Sequence, residues 1–225
     1  MRIKKLAVAL AICVAFGAVA ATAAQATLAW TVGEAEEVLS SETIDAFVNP
    51  LETWDFETKI AGSTVDIVAE GLSCSGAGEC TVFGAGKSKL KLTFTKVSVT
   101  KPEGCAVEGG TFTTKALKGQ VFMSTSPLSV YDKLEPAEGP VFFSVGLTGC
   151  ALAGKYAFQG SLVGETTNPT GSVTPDWMLK FDPQVQSTID PEGGLKVGTQ
   201  SVSTKGAMHN ELIGANKGAK WGVME

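Results

Sequence analysis

Apolar residues in the middle of the chain recur at every second position. Trp54, Phe56, Thr58 and Ile60 share one parity, Ala61-Gly62 interrupts the run, and Val65 and Ile67 resume it. A period of two places alternate side chains on opposite faces of a strand, and a Gly-containing break between two such runs predicts a hairpin. Leu90, Leu92 and Phe94 alternate with Lys89, Lys91 and Thr93, which predicts a half-buried strand with a wet basic face. The phase then changes, because Val97 and Val99 have the other parity. A slip of one residue turns every side chain over, so a bulge or bend is expected near Thr95–Lys96.

The same reading gives a strand at Val141, Phe143, Val145 and Leu147, a turn at Ala153-Gly154, and a return strand through Tyr156, Phe158 and Leu162. Further strands are expected at Phe112–Leu117, Val121–Ser124, Trp177–Phe181 and Leu195–Val202. Turn-rich breaks separate them at Gly76–Gly78, Pro102–Gly104, Gly109-Gly110, Glu135–Pro140, Asn168–Gly171 and Pro191–Gly194. Short strands at this spacing predict an all-β fold, an antiparallel β-sandwich or barrel. One segment dissents. Gly33–Val48 carries Glu34, Glu36, Glu37 and Val38-Leu39, and reads as one helix or an irregular lead-in.

The N-terminus follows a different logic. Arg2, Lys4 and Lys5 precede an uninterrupted apolar run from Leu6 to Ala20, and Ala21-Thr22-Ala23 and Ala24-Gln25-Ala26 offer small-residue cleavage sites. Residues Met1–Ala26 therefore read as a secretory signal peptide. The apolar run is short of the roughly 20 residues a spanning helix needs. What remains, residues 27–225, is expected to form a single all-β domain with no transmembrane helix in its mature form. The whole chain of 225 residues has a net charge of −5, and losing Arg2, Lys4 and Lys5 takes it to −8. Arg2 is the only arginine, and an acidic protein without the guanidinium fork is a poor nucleic-acid partner.

Export also changes the reading of the cysteines. Cys13 falls in the leader, leaving Cys74, Cys80, Cys105 and Cys150. An even number in an exported chain suggests two disulfides, for which three connectivities exist. Cys74 and Cys80 flank Ser-Gly-Ala-Gly-Glu, a segment flexible enough to close a short loop, so Cys74–Cys80 and Cys105–Cys150 are favoured. The alternative is four free thiols. Zinc fits poorly, because there is no C-x-x-C spacing and His209 is the only histidine.

The catalytic motifs in view all fall short. Gly84-Ala85-Gly86-Lys87-Ser88 ends like a phosphate-binding loop, but Thr81 stands where the first glycine belongs, and an alternating strand follows where a helix is needed. A hairpin turn is expected there. Gly71-Leu72-Ser73-Cys74-Ser75 misses the nucleophile elbow at its last position, and His209 reads as an ordinary surface histidine. Asp55/Glu57 and Asp190/Glu192 are spaced to share a strand face, as a glycosidase pair would require, but Asp55 and Glu57 alternate with Trp54 and Phe56 as on a solvated outer face. No calcium-loop run occurs. Trp54 and Trp177 lie within strand patterns and read as core. Trp30 and Trp221, near the mature ends, either stack on a ligand or staple the ends down.

Three phrases carry a resemblance: Gly110–Gly119 (GTFTTKALKG), Gly149–Tyr156 (GCALAGKY) and Asn210–Asn216 (NELIGAN). From about Trp54 to the C-terminus the chain resembles a group of small secreted bacterial proteins of uncharacterised function. The resemblance implies an exported β-rich domain and brings no catalytic residue with it. Relatives tend to have Gly-Cys where this chain has Lys96-Val97, which implies that a local partner of Cys105 is missing here. Together these readings predict a secreted or cell-surface β-domain without cofactor or catalytic set, acting by structure or interaction. The alternative is an extracellular carbohydrate- or ligand-binding module, with a carboxylate-dependent hydrolase behind it. Expected partners are a cell-surface polymer or further copies of the chain.

Overall fold

The computed structural model describes residues 28–33, 37–39, 41–49, 51–74, 79–125, 128–168 and 171–224. The expected leader, Met1–Ala26, lies outside the described residues, as does the expected turn at Gly76–Gly78. In chain order the first strands are β1 (Ala29–Val32), β2 (Glu37–Val38), β3 (Ser41–Phe47), β4 (Trp54–Ile60), β5 (Ser63–Cys74), β6 (Thr81–Phe83) and β7 (Lys87–Leu90). Next come β8 (Leu92–Lys101), β9 (Ala106–Val107), β10 (Phe112–Thr113), β11 (Leu117–Thr125), β12 (Leu128–Pro136), β13 (Val141–Thr148) and β14 (Gly154–Gln159). The chain ends with β15 (Leu162–Thr166), β16 (Val173–Thr174), β17 (Trp177–Phe181), helix α1 (Pro183–Ile189), β18 (Lys196–Val197), β19 (Gln200–Ser201), β20 (Ser203–Leu212) and β21 (Trp221–Met224). No helix among the described residues is long and apolar enough to cross a membrane.

The fold is all-β, and its largest sheet closes on itself. Strands β3, β6, β7, β11, β12, β15, β17 and β20 pair antiparallel in that order, and β20 returns to β3. β5 stands end to end with β6, and β4 with β3, so ten strands make up the barrel wall. β8 continues β7 after Lys91 and carries β10 on its edge. A second sheet, β19-β18-β14-β13-β9, packs on the part of the wall made by β4, β8 and β10 through a cluster of phenylalanines. Phe143 lies with ring centroids 4.4 Å from Phe158, 4.5 Å from Phe112 and 5.3 Å from Phe56. A third, small sheet, β16-β21-β1-β2, joins the two ends of the described chain.

The alternation in the sequence explains most of these strands. β4 buries Trp54, Phe56, Thr58 and Ile60 and turns Glu57 and Lys59 outward. Ala61 (φ 49°) and Gly62 (φ 84°) make the tight turn to β5, opposing Ile60 to Ser63. Both residues are left-handed, which matches the twist of a two-residue hairpin. Gly84–Gly86 is likewise the turn between β6 and β7, with Phe83 opposite Lys87. Near Thr95–Lys96 the expected change of phase occurs as a bend: Lys96 has φ 51°, and burial passes from Phe94 to Val97. β5 changes phase in step, from Ala69 to Leu72, so the ladder keeps its register there. The register slip itself lies further along, between Asp66 and Ile67.

Several parts of the sequence reading are corrected: Phe112–Leu117 is not one strand but β10 followed by the start of β11, and Leu162 leaves the return strand of Tyr156 and Phe158 to begin β15 of the barrel. Ser41–Phe47, within the stretch read as a helix or an irregular segment, is strand β3, because Ile44 and Ala46 are buried with a period of two and pair with Leu212 and Asn210. Residues 34–36 lie outside the described residues. Leu195–Val202 is two short strands divided by Gly198 at φ 60°. Helix α1 went unread, although Asp182-Pro183 carries its start signal: the Asp182 carboxylate accepts from the Gln184 amide at 2.8 Å, and Pro183 occupies the first turn.

Both disulfides join the favoured pairs, Cys74–Cys80 and Cys105–Cys150. Ser73 and Thr81 both pair with β3, so β5 and β6 lie end to end along it. Cys74–Cys80 joins the end of β5 to the residue before β6, with Cα atoms 6.0 Å apart. Cys105, after β8, and Cys150, after β13, tie the largest sheet to the second one.

Candidate functional site

The two tryptophans proposed for ligand stacking do not reach solvent. Trp30 is 2% and Trp221 1% exposed. They pack against Trp177 of the barrel wall in edge-on and tilted contacts, at centroid distances of 5.4 Å (Trp30–Trp177), 5.2 Å (Trp30–Trp221) and 6.1 Å (Trp177–Trp221). Large aromatic rings gain most by full burial, and Trp30 Nε1 also donates to the Lys87 carbonyl at 3.0 Å. Of the two roles the sequence allows, these residues take the second and fasten the terminal sheet to the barrel. Among the described residues, the void that Trp30, Trp177 and Trp221 line in the barrel interior measures about 10 Å³, too small for an organic ligand.

A wider cleft, of about 620 Å³, opens on the outer surface. One wall is α1 and the loop after it. This wall is fixed by polar contacts: Gln186 Oε1 accepts from the Val163 amide at 2.8 Å, and Gln186 Nε2 donates to the Asp190 carbonyl at 3.2 Å. The Asp190 carboxylate accepts from Ser161 Oγ at 3.0 Å and pairs with Lys133 Nζ at 2.8 Å. Burial works upward on the Asp190 carboxyl, but the hydrogen bonds from Lys133 and Ser161 and the Lys133 charge outweigh it and hold the group below its ordinary range. The opposite wall comes from the β4–β5 hairpin and from β19 and the start of β20. Thr58 Oγ1 donates there to the Ser201 carbonyl at 2.9 Å. The apolar floor includes Leu162, Phe181 and Val202, all buried.

The cleft therefore presents Thr64, Thr199, Gln200, Ser201 and Ser203 around a hydrophobic base, with Thr204 buried beneath them. Thr204 Oγ1 is buried without a protein partner. Three carboxylates line it, Glu57, Asp182 and Asp190, but Asp182 caps α1 and Asp190 is tied by Lys133 and Ser161. Glu57 points outward from β4, and Asp55 lies on the same face of that strand. The Asp55 carboxyl is raised by burial first and by the nearby Asp66 charge second.

His209 is the largest departure from the sequence reading. It is 5% exposed, not a surface residue. Its Nδ1 lies 2.8 Å from Asp176 Oδ2 and its Nε2 3.1 Å from Glu52 Oε2, while Phe47 stacks on the ring at 5.5 Å. Burial acts downward on the imidazole, but the hydrogen bonds and charges of Asp176 and then Glu52 prevail and raise it. Both ring nitrogens are thereby committed to carboxylates. Ser73, the serine of the incomplete nucleophile motif, faces Phe47, and Phe47 faces His209, so the phenylalanine stands between serine and histidine. That arrangement offers neither a nucleophile–base hydrogen bond nor a free imidazole lone pair.

No family profile matches the sequence, and no curated protein or solved structure is detectably similar to it. The cleft is missed by a motif search because its polar groups come from four separate segments. The inward polar residues of the barrel, Ser88, Asp132 and Asn210, do carry a signal. Each has the parity of buried apolar neighbours: Leu90, Val130 with Leu134, and Met208 with Leu212.

Proposed function

We propose that this is an exported, non-catalytic binding domain that takes a hydroxyl-rich ligand, of the polysaccharide class, in the cleft between α1 and the β4–β5 and β19–β20 segments. Two disulfides belong to an oxidising compartment and support export. The observation that carries the reading is the cleft itself: about 620 Å³, an apolar floor, a rim of hydroxyls and amides, and the unpartnered Thr204 hydroxyl. A pocket of this size with a few placed polar groups is the usual form of a small-ligand site. Its carboxylates act as a helix cap, an ion-pair partner and an outward strand residue, and this supports binding in preference to hydrolysis. Recognition rests on hydrogen bonds, because the tryptophans that could stack on a sugar ring are in the core.

Titration of the disulfide-bonded protein with soluble polysaccharides and cell-wall fragments, followed by amide NMR, tests the reading. Saturable shifts centred on Gln186, Gln200 and Thr204 are expected, and both Thr204→Val and Gln200→Ala should weaken binding about tenfold, the scale of one lost hydrogen bond. Absence of saturable binding, or shifts mapping away from the cleft, would overturn it.

A further inference from the structure

Inside the barrel, five buried polar atoms have no protein partner: Ser88 Oγ, Asp132 Oδ1, Asn210 Oδ1, Trp177 Nε1 and Trp221 Nε1. They come from five different strands, β7, β12, β17, β20 and β21, yet all five residues line the same void of about 10 Å³. Each such group left unpaired carries the full penalty of its lost hydration, so five around one void is not a set that packing alone would tolerate. We propose that the barrel interior is a binding site for a single water molecule, held among Trp177, Trp221, Asp132, Asn210 and Ser88.

Size and chemistry select this ligand. A void of about 10 Å³ admits one water and nothing larger. The two indole nitrogens can only donate. Asn210 Nδ2 is already committed to the Trp177 and Met208 carbonyls, at 3.1 and 3.4 Å, so its Oδ1 is left as an acceptor. Asp132 supplies a second acceptor when it is ionised, and Ser88, which can serve either way, supplies one when Asp132 carries its proton. Two donors and two acceptors match the four hydrogen bonds of water. A metal or ammonium ion would confront two indole N–H groups, and an anion would confront Asp132. The sequence also makes the space. A Cβ at Gly119 would collide with Ser88 Oγ and sit 3.0 Å from Asp132 Oδ1, so the glycine leaves room for both side chains.

The test is an atomic-resolution crystal structure of the disulfide-bonded protein, with a thallium soak in parallel. One ordered water within hydrogen-bond reach of Asp132, Asn210 and at least one indole nitrogen is the expected result. A direct Asp132–Ser88 or Asp132–Asn210 hydrogen bond closing the void, or an anomalous thallium peak inside the barrel, would overturn the proposal. In solution, oxygen-17 relaxation dispersion should lose the contribution of one long-lived water in Asn210→Leu, while an unchanged amplitude in a folded variant counts against it. If that variant does not fold, the crystal of the unsubstituted protein still decides.

Discussion

Replacing Asp132 by asparagine isolates the energetic consequence of a buried carboxyl group. Asp132 is 3% exposed, and burial pushes its carboxyl up to about 7, opposed only by a hydrogen bond from the Gln120 amide. Among the described residues no cation pairs with it. The unfolded chain ionises near 3.8, so between that value and about 7 the folded protein binds the extra proton. Stability is therefore full below the unfolded value and is lost as pH rises through the folded one. With about 1.4 kcal/mol per unit, the loss approaches about 4 kcal/mol by about pH 8. That is a large part of the roughly 5–15 kcal/mol that holds a domain together. The asparagine side chain keeps the shape, retains an oxygen for the Gln120 amide and cannot ionise. Urea unfolding followed by tryptophan fluorescence, for both proteins across this pH range, is the assay. The substituted protein should gain steadily over the wild type as pH rises, from little difference near pH 4 to about 4 kcal/mol near pH 8. A difference independent of pH, or a wild type more stable in base, would refute the reasoning.

Other perturbations have equally definite outcomes. The raised imidazole of His209 implies the stability advantage of wild type over His209→Gln is full in mild acid, below its ordinary value, and fades as pH rises through the folded one, which pH-dependent thermal unfolding reads. Cys105→Ser with Cys150→Ser opens a loop with a separation of 45 residues and should cost about 4 kcal/mol, whereas Cys74→Ser with Cys80→Ser, with a separation of 6, should cost about 2, measured by chemical denaturation. Gly206→Ala would put a Cβ 2.6 Å from Trp54 Cδ2, against a ring that is 1% exposed and bonded through Nε1 to the Ala207 carbonyl at 2.8 Å. Overpacking of this kind costs about 1–3 kcal/mol, and the melting temperature should fall accordingly.

Period-two alternation was enough to read β4, β13 and the β4–β5 hairpin, because each is one-sided, with a buried and a wet face. The length and flexibility of the spacer between Cys74 and Cys80, not alternation, favoured that pair. Closure of the barrel was not legible, since the pairing of β20 with β3 joins Leu212 to Ile44 across most of the chain. Local pattern carries no information about such long-range partners. The segment around Ile44 misled for a related reason: its glutamates resemble a helical surface, and only the ladders on both sides make it a strand. His209 was read as exposed because Asp176 and Glu52, which draw it inward, are remote in sequence. Trp30 and Trp221 had two open readings, and the choice depended on Trp177, a third residue that neither local context contains.

The pairing of β1 with β21 brings Ala29 opposite Met224, so the outward ends of both strands emerge side by side. Tension applied between the two chain ends would peel this ladder one rung at a time, instead of loading all its hydrogen bonds together in shear. The terminal sheet would then give way at low force and withdraw Trp30 and Trp221 from the interior, while the closed wall of the barrel stays intact.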